Sequence, residues 1–333
     1  MKKIFKKALS FVFASFLVLT ASAQYATNFR VTEIADDELS ANIDLVVSGL
    51  LTAFNNAQGN GETPRISGLD VTPEVEQTIM KLWENCPFRC RDKRIAERAI
   101  KTPHGEYQVR NIPLVMVPVE GESKDPSWRV YQEAVFTIDK TGMVTDFHLA
   151  LDASLYINIM NKARDVEDAI QRQLILNYVE QFRNAYNLKD LDFLNQVFSD
   201  DALIITGKVI TPTKSEISKA SGQKVVYNQQ TKKEYLTNLE NKVFKKNKRI
   251  NVIFDEIKVV RHPAKREFYG VTLKQGWTSD NYSDEGWLFL LWDFTDPNAP
   301  KIHVRTWQPD TYKDGTKIPK EEFKYMDIMD FMI

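Results

Sequence analysis

Residues 178–202 read YVEQFRNAYNLKDLDFLNQVFSDDA, and their pattern decides how the second half of the chain is built. Tyr178, Phe182 and Ala185 continue an apolar face that runs back through Leu174, Ile170, Val166, Ala163, Met160 and Ile157. Steps of three and four residues are the mark of an amphipathic helix. The pattern predicts a helical stretch from Ser154 to about Leu188, with room for one break. A second short helix follows over Leu191 to Phe198, then a strand over Ala202 to Thr206. After a polar loop from Lys208 to Tyr227 and a helix over Tyr235 to Phe244, the chain becomes strand after strand: Ile250 to Val260, Glu267 to Trp277, Gly286 to Phe294, and Lys301 to Trp307. Turn compositions separate them, including His262-Pro263 and Asp296-Pro297, so the four strands form an antiparallel meander.

Upstream, Leu39, Ile43, Val46, Val47, Leu50, Leu51 and Phe54 mark a helix ended by Gly59-Asn60-Gly61. Thr72 followed by Pro73 gives an N-cap and first-turn proline for a second helix through Val75, Ile79, Leu82 and Trp83. Gly105 to Val119 is extended, with Pro113 and Pro118 predicting edge strands or bulges. Asp139 to Gly142 joins strands Arg129 to Ile138 and Met143 to Leu151 in a hairpin. Helices followed by antiparallel strands make each half an α+β arrangement. The expected organisation is a signal segment over 1–23, an N-terminal α+β domain over 24–152, a helical connection over 153–167, a second domain over 168–310 and a tail over 311–333.

The first residues combine Lys2, Lys3, Lys6 and Lys7 with an apolar run from Phe11 to Leu19 and Ala21-Ser22-Ala23, the three-part layout of a cleavable signal peptide. Cleavage near Ala23 predicts a periplasmic or secreted protein. The apolar run falls short of the about 20 residues a spanning helix needs, so an integral membrane protein is not expected. Gln24 stands where a lipoprotein carries cysteine. Losing four lysines and no acid changes the formal charge from -1 to -5, with both signs interleaved, which disfavours a nucleic-acid partner. Cys86 and Cys90, in Cys-Pro-Phe-Arg-Cys, fit neither a Cys-x-x-Cys redox pair nor a zinc site, and in an oxidising compartment a disulfide is expected if the Cβ atoms come within about 4 Å. His104, His148 and His262 lie in unrelated segments without metal-ligand spacing, and no cofactor motif is present. The basic group Lys242, Lys245, Lys246, Lys248 and Arg249 reads as a solvated helix end.

The helix ending at an aromatic, the acidic turn, the second helix and the Asp201-Ala202 step into a strand resemble the opening of the nuclear transport factor 2-like superfamily, which includes ketosteroid-isomerase and SnoaL-like proteins. The resemblance covers roughly residues 168–310. It implies a cone-like curved antiparallel sheet packed on helices, and the N-terminal unit repeats enough of this outline to suggest a diverged copy. It also implies an interior pocket, for which Tyr186, Trp277, Trp287, Trp292, Asp293, His303, Arg305 and Trp307 are the candidate lining residues. Strand alternation places His303, Arg305 and Trp307 on one face. The competing reading has the tryptophans in the core and His303 and Arg305 exposed or paired with carboxylates such as Asp293.

No phosphate loop, nucleophile elbow or His-Glu-x-x-His occurs, so no catalytic residue is assigned. The expected function is an exported, non-catalytic envelope protein that binds a small apolar ligand or an envelope protein partner. The alternative is an isomerase- or dehydratase-like enzyme using the same cone, and a homodimer formed through the sheet is a third expectation.

Overall fold

The computed structural model describes residues 25–102, 105–117, 131–151, 153–164, 166–210, 223–280 and 282–331. The signal segment, His104 and Pro118 lie outside them. The chain divides into two units, with the boundary between Ala150 and Leu151. Both are mixed α+β, and each carries a six-stranded sheet among the described residues.

In the first unit, β1 (Asn28–Thr32) precedes α1 (Asp37–Asn60) and α2 (Pro73–Asn85), and the strands β2 (Phe88–Cys90), β3 (Arg94–Lys101), β4 (Tyr107–Met116), β5 (Tyr131–Ile138) and β6 (Val144–Leu149) follow. Both helices begin as their sequences dictate. The Asp36 carboxylate accepts from the backbone N–H groups of Glu38 and Leu39, and the Thr72 hydroxyl accepts from Val75. Gly61, at φ 67°, closes α1 in the left-handed conformation that glycine takes without a Cβ penalty. The strand order is β1-β3-β4-β5-β6, with β2 also paired to β4. β4 is therefore an interior strand, contrary to the edge alternative for Pro113. One extra residue between Val109 and Ile112 makes a bulge, where Asn111 takes φ 63°, and Pro113 follows it. Core packing centres on Phe54, Phe88, Phe136 and Phe147, whose rings meet at 4.9 to 6.1 Å.

The edge of β1 is closed by a helix rather than by another strand. Thr52 Oγ1, Ser48 Oγ and Asp44 Oδ1, one turn apart on α1, accept from the N–H groups of Thr27, Phe29 and Val31. A period of four on the helix thereby matches a period of two on the strand. The edge donors are satisfied without exposing a pairing surface.

Cys86 and Cys90 are both buried and free, which corrects the expected disulfide. Cys86 caps α2 and Cys90 ends the strand β2, whose extended run over Phe88–Cys90 carries the second thiol away from the first. The Cys90 thiol points to the Asp92 carbonyl at 3.3 Å, and burial raises its pKa.

The second unit opens with α3 (Ala153–Met160) and α4 (Val166–Asn187), the long predicted helix with its break, and continues with α5 (Leu191–Val197) and β7 (Phe198–Ile210). β8 (Lys224–Gln230) occupies the end of the region predicted as loop. Next come α6 (Lys232–Asn238), a π-helical turn (Leu239–Phe244), and β9 (Ile250–Arg261), β10 (Phe268–Ser279), β11 (Tyr282–Asp293) and β12 (Lys301–Pro309). The strand order is β8-β7-β12-β11-β10-β9, so the meander is extended by a parallel pairing of β12 with β7. One face of this sheet packs on the helices around Phe182, Phe198, Phe254 and Trp292. The other is covered by the tail, where Met326, Ile328 and Phe331 lie against Phe289, Leu291 and Val304. Phe331 stacks on Phe289 at 5.5 Å, and the Met326 carbonyl accepts from the Thr272 hydroxyl.

At the start of α4, buried Asp168 accepts from the Arg164 N–H at 3.0 Å and from Arg172 Nε at 3.2 Å. Burial works to raise the Asp168 pKa, but these hydrogen bonds and the arginine charges hold it below the ordinary value. A carboxylate with a lowered folded pKa stabilises the fold above its unfolded pKa, and that contribution disappears as pH falls through the folded value. Stability of the wild type should therefore fall between about pH 5 and pH 2 more steeply than that of Asp168→Asn, as read from thermal melts across that range. Parallel acid limbs in the two proteins would refute the assignment.

Candidate functional site

The helix-facing side of the second sheet changes character along its length. Its deep part is filled: Phe182 touches the rings of Phe198, Phe254 and Trp292 at 5.9, 6.5 and 6.2 Å, and all four residues are at most 1% exposed. Trp292 therefore belongs to the packed floor. Toward the β10–β11 hairpin the aromatic residues become polar-tipped and partly exposed. Here Tyr186, Tyr235, Trp277, Asp284, Arg305 and Trp307 come together.

Each is placed by a local rule. Tyr186 comes from the last turn of α4, which ends at Asn187 before Lys189 at φ 55°. The Asn187 side chain anchors that end by accepting from the Val252 N–H at 2.6 Å. Tyr235 stands in the first turn of α6, where Thr231 and Glu234 form a reciprocal capping box. Trp277 and Asp284 are cross-strand partners on β10 and β11, so their side chains share a face. Arg305 and Trp307 alternate on β12 and share that face too. Gly286 leaves room for the indole: a Cβ there would sit 2.8 Å from two ring atoms of Trp307.

Tyr186 and Tyr235 join through their hydroxyls at 2.7 Å, and the Tyr186 ring meets Trp277 edge-on at 5.8 Å. The Arg305 guanidinium lies 5.0 Å from the Tyr235 ring centre, a cation–π contact, with Arg305 only 6% exposed. Burial drives the Tyr186 pKa well above the usual phenol value, the neighbouring Tyr235 adds to this, and Arg305 opposes it. For Arg305, burial acts against the charge, but Tyr235, Tyr186 and Asp284 prevail, so the guanidinium stays protonated. Asp284 accepts from the Tyr282 hydroxyl at 2.5 Å. Its carboxyl is raised by burial despite that bond and the Arg305 charge. Among the described residues, Asp284 Oδ1, Arg305 Nε and Trp307 Nε1 are buried without a hydrogen-bond partner.

The candidates read from the sequence divide between the two faces. Tyr186, Trp277, Arg305 and Trp307 meet at the polar mouth. His303 does not join Arg305 and Trp307, because Trp292 pairs with Ile302 while Leu291 pairs with Val304, leaving His303 as the extra residue of a bulge. The bulge turns its ring to the tail-covered side, where it stacks on Phe268 at 5.6 Å and meets Asp293 at 3.3 Å. Asp293 also accepts from Thr295 there, and Trp287 packs against Phe323 of the tail. Of the eight candidates, four thus meet near the hairpin, Trp292 lies in the packed floor, and three lie on the tail-covered side. His262 accepts from the N–H groups of Ala264 and Lys265 and holds a turn, and His148 pairs with Asp146. In the basic group, Lys245 pairs with Glu240, while Asp280 accepts from the N–H groups of Lys248 and Arg249.

Reading the sequence alone missed Tyr235 and Asp284. Period-two alternation carried back from Trp292 through Leu290 and Leu288 reaches Asp284, but the predicted strand began two residues later, at Gly286. Among the described residues, no group of three or more His, Cys, Asp or Glu is placed to hold a metal ion, and no helix is long and apolar enough to cross a membrane.

No family model and no curated protein matches the chain. Solved structures align with about half of it. Bd1075 of Bdellovibrio bacteriovorus aligns at 18% identity over 51% of this chain and 46% of its own, with a TM-score of 0.32. A nuclear transport factor 2-like protein from Cytophaga hutchinsonii aligns at 14% identity over 42% of this chain and 98% of its own, at 0.31. Naphthalene 1,2-dioxygenase, with indole bound in its active site, aligns at 10% identity over 48% of this chain and 89% of its own, at 0.34. Over about half of its length the chain is similar to solved structures that include nuclear transport factor 2-like proteins, one of them of unknown function, and a dioxygenase.

Proposed function

We propose that this chain is an exported, non-catalytic binding protein of the bacterial envelope whose second unit takes a small ligand at the aromatic mouth of its sheet. Buried Arg305, held between Tyr186 and Tyr235 with a donor left unpaired, carries the reading. Tyr186, Tyr235 and Asp284 support the buried charge but leave its Nε–H without an acceptor among the described residues, and an unsatisfied buried donor in an aromatic setting suits a ligand contact. Export rests on the basic, apolar and small-residue pattern over Met1 to Ala23. The expected ligand is accordingly more polar than the apolar molecule suggested by the tryptophans alone.

Native mass spectrometry of the mature protein, purified from its own envelope fraction, tests this directly. A stoichiometric small-molecule adduct that is lost in Arg305→Met is expected. Bare protein from several growth conditions would overturn the reading in favour of protein assembly.

One observation favours a second, enzymatic reading: Asp284 is a carboxyl raised by burial with a tyrosine hydroxyl at hydrogen-bond distance, a pairing suited to proton transfer. Chemical conversion of the recovered ligand by wild type but not by Asp284→Asn would establish it.

A further inference from the structure

Arg305 and Trp307 are separated by one residue on β12 and project from the same face, about 6.6 Å apart along the strand. Both present a buried N–H, Nε of the guanidinium and Nε1 of the indole, that meets no acceptor among the described residues. One face of the guanidinium is covered by Tyr235 at 5.0 Å. The two phenols bond each other at 2.7 Å, and the Tyr186 hydroxyl also accepts from the guanidinium, so both hydroxyls are engaged while the Arg305 Nε–H is not. Asp284, the carboxylate acting on Arg305 from β11, directs one oxygen to the Tyr282 hydroxyl. This end of the sheet therefore carries one buried cation and two N–H groups without a partner on neighbouring same-face positions, beside the rings of Tyr235 and Trp277. Among the described residues, Asp284 Oδ1 is the one buried acceptor in the cluster without a partner, so two donors face a single acceptor; a carboxylate offers two oxygens that take one N–H each.

We propose that Arg305 and Trp307 form an anion subsite that takes the carboxylate of a small planar or aromatic acid, with the ligand's ring lying against Trp277 and Tyr235. The assignment rests on the ligand-binding reading above and narrows it to an acid. Neutral apolar molecules would leave both N–H groups unsatisfied, whereas a carboxylate pairs them and balances the guanidinium. Asp284 is the internal competitor, since its negative charge faces the same arginine.

Phenylacetate and its neutral counterpart phenylacetamide, titrated calorimetrically into the full mature protein at pH 7, separate charge recognition from ring recognition. Phenylacetate should bind about tenfold or more tightly, as charge-assisted hydrogen bonds require. Arg305→Met should bring the two within about twofold, the tenfold advantage being a property of the guanidinium. Asp284→Asn, which removes the competitor and leaves Arg305 in place, should tighten phenylacetate several-fold more than it changes phenylacetamide. This second variant keeps the proposal testable if the arginine substitution does not fold. Equal affinities for the two probes in the wild type would overturn the anion subsite while the binding reading stands. Saturable binding of neither probe, by protein with an intact thermal transition, would overturn both.

Discussion

Replacing Gly286 by alanine should destabilise the second unit by about 3 kcal/mol, lowering its melting temperature by roughly 6 to 12 °C. Gly286 lies in β11 opposite Pro309 of β12, and a Cβ on it would stand 2.2 Å from the Gln308 carbonyl oxygen and 2.8 Å from the Trp307 ring. A carbonyl oxygen in a sheet cannot swing aside as a side chain does. The β11–β12 ladder must separate locally, and Trp307 must leave the position from which it lines the mouth. Gly276 provides the control. Its Cβ would meet only the Ile253 side chain, at 2.8 and 3.1 Å, and a rotamer change relieves that contact, so Gly276→Ala should cost less than about 1 kcal/mol. Differential scanning calorimetry of both variants reads the comparison. Equal shifts would show that Trp307 is not seated on residue 286.

The helices and the meander were legible because their signals are local. An apolar step of three or four along 154–188, Thr72 before Pro73 and Gly61 at a helix end act within one or two turns. The strands that escaped notice are β1, β2, β3 and β8: β1 alternates but over only five residues, β2 has three, and β3 reads Arg-Ile-Ala-Glu-Arg-Ala-Ile-Lys from Arg94 to Lys101, with only Ile95 buried. What makes β1 a strand is a partner 66 residues away, with Asn28 opposite Arg94, and a row of acceptors on α1. No window of sequence contains both. The site failed at a different scale. Assigning faces by alternation is correct between bulges, and Arg305 and Trp307 came out together for that reason. One inserted residue at His303 reversed the face of everything before it. Bulges arise from the mismatch between neighbouring strands, here β12 against both β11 and β7, so the residues flanking His303 hold no record of it.

Phe182→Ala should cost more than any other single truncation proposed here, about 3 to 5 kcal/mol, because it empties the centre of the packed floor. Phe182 is fully buried and touches four rings, with Tyr186 meeting it edge-on at 5.1 Å. Truncation removes the transfer free energy of the ring and leaves a cavity that Phe198, Phe254 and Trp292 are too large and too constrained to fill. Phe182→Leu retains most of the volume and should cost about 1.5 kcal/mol. Chemical denaturation followed by tryptophan fluorescence measures both, since Trp292 adjoins the cavity. The same pair of variants asks how far the mouth depends on the floor. Tyr186 is held below by Phe182 and above by its bond to Tyr235, and Arg305 depends on both phenols for its position. If the floor orients the mouth, affinity for an acidic ligand should fall in Phe182→Ala and hold in Phe182→Leu, measured where both proteins remain folded. Loss of stability with unchanged affinity would mean that the capping of α6 and the Asn187 anchor fix the two tyrosines without help from the core beneath them.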